Sequence, residues 1–278
     1  MEVNFPILKS VPARGGHGGY KMKILFTICG RAGSKGIKNK NIKPFAGIPL
    51  PYYTLSAIDL YLQRHGKEAC DIVVNSDSRE LLSMMAGNGI RPVKLIERSQ
   101  QLGGDTVGKI DVIRSCLDIM QNREGCEYDM VVDLDITSPL RTTADIKNLI
   151  DVHIRTGADV TTSVVAARRN PYFNQLKRAE KGFCKVCESD FTARQQAPDI
   201  YDMNASLYAY SPQHLMSGRQ VLDGHVEIIE MYDTGILDLD HENDLELMSV
   251  IAEYLFKTKV AFREVYENCR IIRNSSLI

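Results

Sequence analysis

Four stretches of this sequence have residue types and spacings that can do chemistry on phosphates and acidic ligands. The first is Cys29–Pro44, "CGRAGSKGIKNKNIKP". Small residues there let the backbone approach a ligand closely, and successive backbone N–H groups form a concavity for anions. Arg31, Lys35, Lys38, Lys40 and Lys43 add cations. The loop directly follows the apolar run Lys23–Cys29, so it is expected to hold a polyphosphate rather than to be a solvated basic loop. It has neither the order of a P-loop nor Gly-x-Gly-x-x-Gly, so neither an ATPase loop nor a dinucleotide site is indicated. "PARGGHGG" at Pro12–Gly19 echoes it weakly, but no apolar strand leads into that copy.

The second stretch is "GILDLDHENDLEL", where Asp238 and Asp240 alternate with apolar residues. Strand periodicity would put both carboxylates on one side. Two carboxylates beside a triphosphate are what Mg²⁺ takes, with Mn²⁺ as a substitute. The competing reading is an acidic turn that caps the following helix. The third, "DLDITSPLR" (Asp133–Arg141), ends an apolar run and contains a second Asp-x-Asp, Asp133 and Asp135. Arg141 either holds an anion or braces its own loop. The fourth is a polar cluster of Arg168, Arg169, Arg194, Gln195, Tyr201 and Asn204. Arginine forks bind carboxylates, so this cluster suits an acidic substrate, an oligomer contact, or both.

These residues need a frame. From Lys23 onward, apolar strand-like runs alternate with segments of helical spacing: "KILFTIC", "PYYTLSAIDLYLQRHG", "DIVVNS", "SRELLSMMAGNG", "PVKLIE", "KIDVIRSCLDIMQN", "YDMVVDLDI", "TADIKNLIDVHI" and "DVTTSVV". Such alternation predicts an α/β fold with a mostly parallel, doubly wound sheet. Ligands of such sheets bind beyond the carboxyl ends of the strands, which is where the first and third stretches fall. The basic, turn-rich text from about 166 to 204 predicts an inserted lobe, "NASLYAY" a return to strand, "GILDLD" a last short strand, and "HENDLELMSVIAEYLF" a helix. The expected organisation is a flexible extension over 1–22, one domain over 23–256 and a C-terminal tail over 257–278.

Composition limits the partners. A net charge of −1 gives no field for nucleic acid or membrane. No apolar run reaches the ~20 residues of a membrane span, and the first twenty residues do not read as a secretory leader. Seven cysteines, an odd number, suggest free thiols and a cytoplasmic, reducing setting. Cys184 and Cys187 form a lone Cys-x-x-Cys without further zinc ligands at suitable spacing, so they read as hairpin residues.

Taken together, "RAGSKGIKNKNI", "NSDS", "GGDT…IDVI", "ITSPLR" and "LDLD" resemble the motifs of the acylneuraminate cytidylyltransferase family from about Lys23 to Phe256. "TICGRAGSKG", "ARRNPYFN" and "ARQQAPDIYDMNAS" resemble its CMP-legionaminic acid branch. The resemblance implies transfer of CMP from CTP to the C2 hydroxyl of a nonulosonic acid, with Mg²⁺ and release of pyrophosphate. It implies CTP binding by Arg31, Ala32, Gly33, Ser34, Lys40, Asn41 and Arg98, and catalytic work by Arg31, Lys40 and Asp240. It implies sugar binding by Asp135, Thr137, Ser138, Arg194, Gln195 and Asn204, metal binding by Asp238 and Asp240, and a homodimer closed by the inserted lobe. Two positions depart from the family pattern: Gly30 stands for its usual alanine, and Asp135 for its usual glutamine. An acid at 135 should repel a substrate carboxylate unless it faces a hydroxyl or a metal, which favours a sialic acid analogue as substrate. A glycosyltransferase using a nucleotide sugar, a catalytically silent nucleotide binder, and guanine or KDO specificity remain as alternatives, and the sequence names no general base.

Overall fold

The computed structural model describes residues 21–275 except 34–36, 67–68, 89–90, 105–106, 235–238 and 240, with side chains to Arg270. The expectations for the extension over 1–20, for Ser34, for the "GILDLD" strand and for Asp238 and Asp240 lie outside the described residues.

The strands are β1 (Lys23–Cys29), β2 (Pro44–Phe45), β3 (Ile48–Pro49), β4 (Ala69–Ser76), β5 (Lys94–Glu97), β6 (Met130–Leu134), β7 (Val160–Ala166), β8 (Leu176–Ala179), β9 (Gly182–Lys185), β10 (Tyr201–Tyr210) and β11 (Val226–Glu230). The helices are α1 (Leu50–His65), α2 (Arg79–Ala86), α3 (Lys109–Glu124), α4 (Thr143–Thr156), α5 (Pro212–Met216), α6 (Glu242–Thr258) and α7 (Val260–Ser275). The central sheet runs β11-β7-β10-β6-β1-β4-β5. Strand β10 is antiparallel to both neighbours, and the other pairs are parallel.

Alternation along β1 shows why both faces are covered. Ile24, Phe26 and Ile28 enter one apolar cluster with α1, α2, α4, α6 and α7. Leu25 and Cys29 point to the other face and meet Ile113, Cys116, Leu117 and Met120 of α3. A strand buried on both sides reads as a continuous apolar run, as "KILFTIC" does. The fold is the expected mixed but mostly parallel α/β sheet.

Two differences from the sequence reading stand out. Residues 257–278, expected as a tail, contain α7, which buries Phe262, Val265 and Cys269 in the main core. Strand β11, not foreseen, adds a parallel edge beside β7. Between β7 and β10 the chain leaves the sheet and forms the β8–β9 hairpin, whose residues are nearly all exposed.

The sequence of connections also locates a crevice. From β1 the chain passes to β4 on one side, and later returns to β6 on the other. The carboxyl ends of β1 and β6 therefore flank a topological switch point, the place where open α/β sheets bind ligands.

Candidate active site

A cleft of about 290 Å³ lies at that switch point. It takes Cys29, Arg31, Lys40 and Asn41 from the loop after β1, and Arg98, Leu102 and Gly104 from the segment after β5. Val107, Lys109 and Val112 come from the start of α3, and Asp135 and Thr137 from the loop after β6. Six residues named from sequence thus share one cleft: Arg31, Lys40, Asn41, Arg98, Asp135 and Thr137.

The basic loop is tied down from several sides. Gly30 N–H donates to the Asn75 carbonyl at 3.1 Å. Ala32 N–H donates to Asp77 Oδ1 at 2.6 Å, and Asn41 Nδ2 donates to the Arg31 carbonyl at 2.9 Å. Gly33 has φ +71°, a left-handed conformation that favours glycine. The departure at Gly30 has a packing reason: a Cβ there would lie 2.8 Å from Ile136 Cδ1 and from Leu81 Cδ2. Arg98 is nearly buried, and its Nε donates to Asn75 Oδ1 at 2.7 Å. That bond sets the guanidinium against the cleft wall and leaves other N–H groups for a ligand.

Sequence reasoning missed Lys109, the first residue of α3. Its Nζ lies 2.7 Å from Asp133 Oδ2 and 2.5 Å from Asp135 Oδ2. Asp133 is fully buried, and its Oδ1 accepts from Thr27 Oγ1 at 2.7 Å. Asp135 Oδ1 accepts from Thr137 N–H at 2.8 Å and from Thr137 Oγ1 at 2.7 Å. Burial would raise the Asp135 carboxyl, but the Lys109 ammonium and the Thr137 donors outweigh it and hold it down at about 2. Burial likewise works against the Lys109 charge, and the two carboxylates more than reverse that, so Lys109 stays protonated well above the ordinary lysine range. The second Asp-x-Asp is therefore charge-paired with an internal cation, which occupies the space between the two carboxylates.

Arg141 is fully buried. Its guanidinium donates to the Asp135 and Ser138 carbonyls, to Thr54 Oγ1 at 3.2 Å and to Ser206 Oγ at 3.2 Å. Of the two readings of Arg141, the loop brace is the one present: it fixes the turn carrying Asp135, Thr137 and Ser138. Cys29 offers no nucleophile, because a hydrogen bond with Cys116 and its burial push the thiol well above its ordinary range. None of the seven cysteines is in a disulfide, and Cys184 lies in β9 of the exposed hairpin.

Other expected residues lie apart from the cleft. Arg194 lines a separate cavity of about 260 Å³ with Tyr201 and Glu230. Gln195 is exposed beside it. Asn204 is buried, accepts from Ser163 Oγ at 2.6 Å, and donates to Met231 Sδ at 3.4 Å. Asn204 therefore props the sheet where the β7–β10 register shifts, rather than presenting its amide to a ligand. Ser138 contributes its carbonyl to Arg141. Among the described residues, no group of three or more His, Cys, Asp or Glu is placed to hold a metal.

Comparison with known proteins places the chain in a family. Residues 25–262 match the family model described as cytidylyltransferase. The chain is 34% identical over 238 residues to post-translational flagellin modification protein B of Campylobacter coli, covering 85% of this chain and 96% of that one. It is 32% identical, with the same coverage, to the CMP-N,N'-diacetyllegionaminic acid synthase of Campylobacter jejuni. Among solved structures, a CMP:2-keto-3-deoxy-manno-octonic acid synthetase complexed with CTP shares the fold, with TM-score 0.58, 15% identity, and 84% of this chain and all of that one covered. The chain belongs to the cytidylyltransferase family, in its acylneuraminate and legionaminate branch.

Proposed function

We propose that this protein transfers CMP from CTP to the C2 hydroxyl of a nonulosonic acid, and that the acceptor is a sugar of the legionaminic acid type. The observation that carries this is the convergence of Arg31, Lys40, Asn41 and Arg98 with Asp135 and Thr137 in one cleft at the switch point. The likeness to a CMP-legionaminic acid synthase supports the finer choice of acceptor.

The C2 hydroxyl gives up its proton to solvent as its oxygen bonds to the α-phosphorus, the bond from that phosphorus to the bridging oxygen breaks, and pyrophosphate leaves. Charge spreads over the phosphate oxygens, so prepositioned cations do most of the work. Arg31 and Lys40 would neutralise the triphosphate and the departing pyrophosphate, while Arg98, braced by Asn75, would face the base. Asp238 and Asp240 would hold Mg²⁺, since two carboxylates with phosphate oxygens make the hard oxygen set that this ion takes. When bound, the ion would polarise the α-phosphate and favour ionisation of the attacking hydroxyl. The pairing of Asp133 and Asp135 with Lys109 counts against a glycosyltransferase that uses this Asp-x-Asp for metal.

The protein would work as a homodimer. Leu176 and Phe183 of the β8–β9 hairpin are 65% and 63% exposed, which suits a lobe that packs on a partner. Arg194 and Gln195, remote from the cleft of their own chain, would then serve the acceptor site of the other. No described helix is long and apolar enough to cross a membrane.

Replacing Arg31 with methionine is expected to weaken CTP binding about tenfold to a hundredfold, the usual worth of one charge-assisted contact. Isothermal titration with CTP and Mg²⁺ checks it. An unchanged affinity would remove Arg31 from the triphosphate site.

A further inference from the structure

Two positions that depart from the family pattern, or that no motif fixes, meet in the cleft. In "GGDTVGKIDVI" the motif sets Asp105, Thr106, Asp111, Val112 and Ile113 and leaves 109 open, and position 135 carries an acid in place of glutamine. The structure joins them: Lys109 Nζ bridges Asp133 and Asp135 at 2.7 and 2.5 Å. On Asp135, Oδ1 accepts from Thr137 and Oδ2 from Lys109; on the fully buried Asp133, Oδ1 accepts from Thr27, and Oδ2 faces the Lys109 charge at 2.7 Å without a hydrogen bond. The acids have little left to offer a ligand.

The ammonium does. It has three hydrogens, and among the described residues its ion-pair partners are Asp133 and Asp135 alone. Its side chain is 33% exposed and lines the cleft. A lysine needed only to neutralise two buried acids would gain nothing from that exposure. The kind of group it can take follows from charge. One cation between two carboxylates leaves the trio one negative charge in excess, which repels a carboxylate or a phosphate and tolerates a neutral oxygen. The cations better suited to the triphosphate, Arg31, Lys40 and Arg98, stand on other walls of the same cleft.

We propose that Lys109, held between Asp133 and Asp135, donates a hydrogen not used by Asp135 to a neutral oxygen of the acceptor sugar, a hydroxyl or an acyl carbonyl, and so selects the acceptor. The inference rests on the cytidylyl-transfer function above. It explains how an acid at position 135 is compatible with an acidic sugar. Asp135 holds the lysine, the sugar meets the lysine, and the sugar carboxylate binds elsewhere.

The test is the double variant Lys109→Met, Asp135→Asn. One positive and one negative charge leave together, so the charge of the trio is unchanged, and the asparagine keeps an acceptor for the Thr137 donors. Pyrophosphate release is measured with legionaminic acid and CTP, each varied in turn, for this variant and the unaltered protein. The expected result is an acceptor KM raised about tenfold or more, with the KM for CTP within about twofold, in a protein whose melting temperature falls because buried Asp133 has lost its cation. An unchanged acceptor KM, or both KM values rising in proportion, overturns the proposal. If the double variant does not fold, Lys109→Arg replaces it, keeping the charge and altering the donor geometry. A raised acceptor KM with normal CTP KM supports the proposal, and a normal acceptor KM refutes it. No turnover by the unaltered protein would overturn the cytidylyl-transfer function and this inference together, whereas turnover without the split overturns the inference alone.

Discussion

Asp240→Asn is expected to lower kcat for pyrophosphate release by about 10²–10³-fold while changing the Kd for CTP by no more than about threefold. Asparagine keeps the size and one oxygen but removes the charge that a hard cation needs. The triphosphate retains Arg31, Lys40 and Arg98 on the cleft walls, so ground-state binding survives. The metal's contribution to the developing charge does not, and loss of an interaction made mainly in the transition state appears in kcat rather than in binding. Single-turnover rates and CTP titration on the same preparation separate the two. Equal losses in both would assign Asp240 to CTP binding and remove its catalytic role.

Arg141→Met is expected to destabilise the protein by about 3–5 kcal/mol, because it leaves buried acceptors without their donor. For a domain of this size that corresponds to a fall of roughly 10 °C in Tm. The guanidinium donates to two carbonyls and two hydroxyls from three parts of the chain: Thr54 on α1, Asp135 and Ser138 in the loop after β6, and Ser206 on β10. Burial has already brought its pKa down to about 10, against the pull of Asp135, Asp133 and Asp145, yet it remains charged at neutral pH. Arg141→Lys should recover little, since one ammonium cannot reproduce a planar fork that reaches four acceptors. Thermal melts of the two variants decide it. Normal melting combined with lost substrate binding would return Arg141 to the role of an anion holder.

The fold was largely legible because its strands are buried on both faces and therefore appear as unbroken apolar runs between amphipathic helices. The cleft was legible for a related reason. A basic, glycine-rich loop directly after the first strand can only lie beyond that strand's carboxyl end, and Arg31, Lys40 and Asn41 do. The residues that escaped were set by contacts between distant segments. Lys109 and Asp133 are far apart in sequence, and no local rule pairs a helix-start lysine with a strand-end acid. The polarity of Asn204 suggested a ligand contact, but its partners are Ser163 on the adjacent strand β7 and Met231 just past β11, distant segments that close around it. Helix α7 was a different kind of miss. Phe262, Val265 and Cys269 fall at helical spacing and all are buried, so the pattern was present in a segment where a tail was expected. Strand β11 offered only the short run "VEIIE", too brief for periodicity to distinguish strand from loop.

The most direct test of the central claim is pyrophosphate release from CTP, GTP or UTP with Mg²⁺, each paired with legionaminic acid, sialic acid or KDO. Release with CTP and legionaminic acid, and little with GTP, UTP or KDO, is the predicted result. No release from any pair, by protein that still binds CTP, would contradict it and leave a nucleotide binder without turnover.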